Sequence, residues 1–156
     1  YLCWGAMAGL YYFHNIPKTA LGSKLFGVFD HRVVEADLLL NGLDDVVKMP
    51  HSRYSGIDEA LVRQKQELKI LLEGQESGIS VLKDSQDVFV LGHLEYARNT
   101  LQEEYNRDLA KGLSINAPEY YYDNNGVPVW SWRSSASMFF ANWLNFSVYQ
   151  VTPFVL

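Results

Sequence analysis

The 156-residue sequence holds one cysteine, four histidines and only 13 lysines and arginines. A single thiol cannot close an internal disulfide, so the chain fits a reducing compartment, and a cytoplasmic location is expected. The basic residues are scattered among 18 acidic ones, for a net charge of −5. Nucleic acid is therefore not an expected partner, because phosphate binding needs clustered Lys and Arg. Nor is a membrane. The most apolar late segment, MFFANWLNFSVYQV, carries Asn142 and Asn145 at its centre and is too short and polar to span a bilayer. The apolar opening has no basic leader or processing site, so no signal peptide is expected. His14, His31, His51 and His93 show no paired ligand spacing, so no metal site is expected. Gly-x-Ser-x-Gly and the common phosphate-cradling glycine loops are absent.

What is present is a globular composition, with 48% hydrophobic and 20% charged residues, in a length suited to one domain. YLC reads as the tail of a buried strand and WGAMAGLYYFH as a helix. Gly22 marks a turn before a strand over KLFGVFDHRVV. DLLLNGLDD is a second apolar patch, and VKMPHSRYSG reads as a loop. IDEALVRQKQ suggests a short helix. LKILLEG, GISVLKD and DVFVLGH are three short strands, the last an apolar run typical of a central strand. ARNTLQEEYNRDLAKG is an amphipathic helix with Leu101, Tyr105 and Leu109 as its stripe and Gly112 as its stop. A long aromatic loop leads to a last helix from about Ser135 to Gln150. Strands alternating with helices imply the α/β class.

Two places could carry chemistry. Cys3 sits where a strand turns into a helix, where free N–H groups and the helix dipole favour a thiolate. With Gly5, Ala6 and Ala8 after it, this is the pattern of a nucleophile elbow with Cys in place of Ser. The alternative is a small buried apolar residue, as most free cysteines are. In VFVLGHLEY, His93 and Glu95 follow a buried strand, at the carboxyl end where α/β sheets bind ligands. A His there can take a proton and a Glu can orient it. The alternative is a surface His beside a capping Glu.

Together these segments resemble the homoserine O-acyltransferase family, which includes homoserine transsuccinylase and its acetyl-transferring relatives. CWGAMAGL, KLFGVFDHRV, PHSRY, GHLEY, TLQEEYNRDLAKGL, WRS and NWLNFSVYQVTPF carry the resemblance, in the family's order. It implies a class I glutamine amidotransferase-like (flavodoxin-like) fold, with three layers around an open, mostly parallel sheet. It implies a Cys3–His93–Glu95 triad and the first committed step of methionine biosynthesis. In that reaction Cys3 takes the acyl group of acetyl-CoA or succinyl-CoA, and His93 activates the hydroxyl of L-homoserine. No cofactor is implied beyond acyl-CoA as co-substrate. Lys24, Ser52 and Arg107 fall at substrate-contacting positions, with Arg107 receiving the homoserine carboxylate. On residues alone, Arg107 could instead pair with Glu103 on its helix, Lys24 could be solvated and Ser52 could be a turn residue. A homodimer is implied for the full-length form.

The sequence departs from the family pattern in two places. Leu94 stands where relatives carry Pro, removing a ring that would stiffen the turn, and WRSSA replaces WRSHG at Trp132–Ala136. The resemblance covers the C-terminal half of the family's chain. It implies that residues 1–156 form the C-terminal part of a single acyltransferase domain, beginning just before the nucleophile. The strands flanking Cys3, the oxyanion groups and the position governing donor choice would then lie upstream. A glutamine amidotransferase or amidase with the same triad is the second reading, and an inactive, partner-binding fragment the third.

Overall fold

The computed structural model describes residues 1–150, 152 and 153. Its first element is helix α1 (Trp4–His14). Ala6, Met7, Gly9 and Leu10 turn one face of this apolar helix to the sheet, whereas Trp4, Tyr11 and Tyr12 are exposed. The helix ends at Asn15, in the left-handed region at φ 55°, which a short polar side chain tolerates. His14 Nε2 meets Asp84 Oδ2 at 2.8 Å and pins this end.

Five strands follow: β1 (Lys18–Val33), β2 (Val46–Ile57), β3 (Lys69–Gly74), β4 (Gly78–Lys83) and β5 (Val88–Val90). They lie in the order β2-β1-β3-β4-β5. Every ladder among them is antiparallel, which corrects the expected mostly parallel sheet. The reason lies in the connections. Residues 75–77 join β3 to β4 and residues 84–87 join β4 to β5. Such links make hairpins, whereas a parallel pair needs a crossover of about a dozen residues. Parallel pairing does occur at the isolated bridge Leu2–Val90, where the expected strand tail before Cys3 runs beside β5.

Two further expectations change. The PHSRY segment is not a loop: it lies within β2, paired from Phe26–Ser52 to Val28–Pro50 with β1. Proline and polar residues suit this strand because it is an edge of the sheet, where a missing N–H leaves fewer ladder bonds unmade. Gly22 is not a boundary either. It falls inside β1, where the register slips between Ala20 and Leu25.

Helices cover both faces of the sheet. Under α1 lie Ile57, Ile79, Leu82, Phe89 and Leu91. The opposite face packs Val47, Met49, Leu71, Val81 and Val90 against Leu39, Leu94 and Phe139. Phe139 belongs to α4 (Arg133–Asn142), which continues as a π-helical segment, Trp143–Tyr149. The buried Asn142 amide donates to the carbonyls of Leu39 and Asn41, so it holds the 3₁₀ turn Leu38–Leu40 in place. The closing NWLNFSVYQVTPF block includes Val151 and Phe154, which lie outside the described residues. Helices α2 (Glu59–Val62) and α3 (Thr100–Ala110) complete the chain. Of the α3 stripe Leu101 is buried, but Leu109 is exposed as the helix leaves the core. Among the described residues no helix is long and apolar enough to cross a membrane.

The two outer strands meet at one point. The His93 N–H, beyond the end of β5, donates to the Pro50 carbonyl of β2 at 2.8 Å. Gly92 makes this approach possible. A Cβ there would lie 2.8 Å from the Pro50 oxygen and also strike the Met49 side chain. Gly92→Ala should therefore lower stability by about 1–3 kcal/mol, read as a reduced urea midpoint at unchanged slope.

Candidate active site

The sharp strand–helix turn expected at Cys3 is present in the backbone. Cys3 has φ 45° and ψ −111°, a conformation that a residue with a Cβ rarely adopts. Two bonds on β5 enforce it: Cys3 N–H donates to the Val90 carbonyl at 2.7 Å, and Val90 N–H donates to Tyr1 O at 3.0 Å. The helix starts at once, with Met7 N–H donating to the Cys3 carbonyl. Gly5 has open space around it, so it is not what keeps the turn tight. Gly9 instead lets the helix lie close on β5: a Cβ there would lie 2.9 Å from the Phe89 ring. Trp4 N–H has no hydrogen-bond acceptor among the described residues and is free to face a ligand beside the thiol.

His93 approaches from the same end of β5, three residues beyond Val90. Its Nδ1 meets Glu95 Oε1 at 2.6 Å, which leaves Nε2 for the Cys3 thiol. Burial pulls the imidazole pKa down, but hydrogen bonds and charge from Cys3 and Glu95 outweigh it and raise the pKa to about 9. The site is thus arranged to hold an imidazolium near neutral pH. The Tyr96 ring stacks on His93, with centroids 4.1 Å apart and planes 20° apart. The turn itself is well anchored. Trp132 Nε1–H donates to the Tyr96 carbonyl at 3.0 Å and Tyr121 O–H to the Arg98 carbonyl. Leu94 replaces the stiffness of a proline with burial, at 2% exposure in the core.

A second polar cluster adjoins the triad. Ser52 O–H donates to Glu104 Oε2, and Tyr96 O–H donates to Glu104 Oε1 at 2.6 Å. Lys24 is buried, 2.9 Å from Asp108 and 4.0 Å from Glu104. Arg107 is exposed and donates to Asp108 Oδ1 through Nε at 2.8 Å. It therefore pairs with its immediate neighbour and not with Glu103.

A family model described as homoserine O-succinyltransferase matches residues 1–154. The chain belongs to this family. A homoserine O-acetyltransferase of Campylobacter jejuni is 51% identical over all of this chain and 53% of its own length. One of Clostridium beijerinckii is 48% identical over the same shares. The chain thus spans about half the length of the curated relatives it matches. Among solved structures, a glutamine amidotransferase from Thermotoga maritima aligns with TM-score 0.69 at 12% identity, over 95% of this chain and 61% of that one. That likeness shows the class I glutamine amidotransferase-like fold.

All six residues singled out from the homoserine O-acyltransferase resemblance fall in the two adjoining clusters. Cys3, His93 and Glu95 form one. Lys24, Ser52 and Arg107 lie in the other, linked by Glu104 and Asp108, which sequence reasoning missed. A signal existed for Glu104: it lies three residues before Arg107, on the same helical face.

Behind the triad runs a buried chain of neutral histidines. Arg53 Nε–H donates to His51 Nδ1 at 3.3 Å, and His51 Nε2 lies 3.1 Å from His31 Nε2. His31 Nδ1 lies 3.2 Å from the Val47 carbonyl. Arginine can only donate and a carbonyl can only accept, so each imidazole carries one proton, directed from Arg53 toward Val47. Burial lowers the His31 pKa to about 4 and that of His51 well below its usual value.

The opposite shifts give a definite pH dependence of stability. Neutral His31 and His51 contribute fully above about 6.5, and this is lost as pH falls toward 4. Cationic His93 contributes fully below 6.5, and this is lost as pH rises through about 9. Urea midpoints should therefore peak near pH 6.5. In His93→Gln the decline on the alkaline side should flatten while the acid limb remains; an unchanged alkaline limb would contradict the assignment.

Proposed function

We propose that this protein is a homoserine O-acyltransferase, in which residues 1–156 form the C-terminal part of the acyltransferase domain. The reading is carried by Cys3 at a strained strand–helix elbow, beside a Glu95-held His93, in a chain that belongs to this family. The relatives described above are named acetyltransferases, which favours acetyl-CoA as donor, with succinyl-CoA as the alternative.

In the first half-reaction the Cys3 thiolate attacks the thioester carbonyl carbon. The carbonyl electrons move to oxygen, where the free Trp4 N–H is placed to receive them. Collapse expels the CoA thiolate, which takes the proton of His93, and leaves Cys3 as a neutral thioester. That step changes the base. With the Cys3 charge gone, one of the two groups that raise the His93 pKa is removed. The imidazole then falls toward the range of a general base near neutral pH, at the moment the homoserine hydroxyl must lose its proton. The hydroxyl oxygen attacks the thioester, His93 takes the proton, and collapse returns the thiolate to Cys3 beside an imidazolium. Glu95 holds the ring in one tautomer throughout.

Asp108 engages the Nε side of the Arg107 guanidinium, which leaves N–H groups on its other edge for the homoserine carboxylate. Lys24 and Ser52 belong to the same polar cluster, through Asp108 and Glu104.

Two outcomes test this in the protein with any flanking chain retained. Acetyl-CoA without homoserine should leave a stable acetyl group on Cys3, seen by intact mass spectrometry and discharged when homoserine is added. Acylation that persists in Cys3→Ala would overturn the assignment, and turnover of glutamine in place of homoserine would favour an amidotransferase. Arg107→Lys should raise the KM for homoserine about tenfold or more while acylation of Cys3 proceeds at the parent rate. A parental KM would place Arg107 outside the pocket.

A further inference from the structure

The catalytic imidazole is gripped on its edge and also on its face. Nδ1 is bound by Glu95 in the ring plane, and the Tyr96 ring covers the face at 4.1 Å. The groups facing His93 are Cys3 from the start of α1, Glu95 and Tyr96 from its own turn, and His51 from β2. His51 is neutral and supplies no charge. Tyr96 is not a passive cover. Its hydroxyl donates at 2.6 Å to Glu104, a carboxylate on α3 only 15% exposed. Burial, then the Glu104 hydrogen bond and charge, raise the phenol pKa, so the phenol keeps its proton and remains the donor.

A phenol that donates to a carboxylate gains electron density in its ring, and an electron-rich face attracts a cation. We propose that Tyr96 and Glu104 act as a positioning pair: Glu104 polarises the Tyr96 ring, and the ring stabilises the cationic form of His93 from its face. Glu104 reaches His93 only through this ring, and its second oxygen is occupied by Ser52. Any group that displaced the Ser52 hydroxyl would therefore change the support of His93. That last coupling rests on the acyltransferase reading, whereas the support of His93 does not.

The test needs no substrate. His93 is titrated by ring ¹⁵N and ¹H NMR in the protein with any flanking chain retained, in Tyr96→Phe, in Glu104→Gln and in the double variant. Phe keeps the stacked ring and Gln keeps an acceptor for the phenol, so each removes the polarisation with little change of shape. Each single change should lower the His93 midpoint by roughly half a unit. The double variant should shift less than the sum, because Glu104 acts through the Tyr96 hydroxyl. Additive shifts would mean that Glu104 acts as a distant charge, and unshifted single variants would mean that the stack is only packing; either result overturns the proposal. The pH profile of iodoacetamide alkylation of Cys3, the single thiol in the chain, gives an independent reading. Its His93-linked inflection should move in the same direction, and a profile matching the parent would count against the pair. Should one variant fail to fold, the other is read by both measurements.

Discussion

Everything at the site depends on β5 being gripped by backbone on both sides. Val90 accepts the amide of Cys3, and just past the strand His93 donates to Pro50 of β2. The carboxyl end of a three-residue strand thereby fixes both Cys3 and His93. The strained Cys3 backbone is tolerable because these bonds, and the packing of Gly9 on Phe89, over-determine it. No loop needs to close for thiol, imidazole and carboxylate to meet.

Three of the histidines show how environment, not residue type, sets charge. His31 and His51 are fully buried among neutral acceptors and a guanidinium, so desolvation wins and both stay neutral. His93 is also largely buried, yet Glu95 on its Nδ1 and the neighbouring Cys3 outweigh the burial, and its cation survives. The neutral pair is useful to the charged one: a second cation behind His93 would repel it. Buried Arg53, whose Nη groups are held by the Ser55 and Ser77 carbonyls, supplies fixed positive charge in this region without a titrating proton.

The grouping of Cys3 with His93 and Glu95 was legible in the sequence because each part has a local signature. Cys3 precedes a small-residue helix start, and His93 and Glu95 follow a short apolar strand. Helices α1 and α3 and strands β3 to β5 were legible for the same reason, since their periodicities and turn residues are local. The sheet's direction was not. Sequence shows that a strand exists but not which neighbour it pairs with, and short links make the ladders antiparallel. β2 was hidden because Pro50, Ser52 and Gly56 look like loop residues unless one knows the strand is an edge. The hub at Glu104 was hidden too, since its bond to Ser52 joins residues 52 positions apart.

The contact between Gly92 and Pro50 joins the two outer strands of a single sheet. It closes a seam, and the seam runs past the Cys3–His93 cluster. Both outer strands also feed the hydrophobic layers: Ile57 and Phe89 lie under α1, and Val47, Met49 and Val90 pack on the opposite face. Opening the seam would therefore disturb the packing of both faces. The alignment of Cys3 with His93 is tied in this way to the core itself, and what permits the tie is the missing side chain of a glycine.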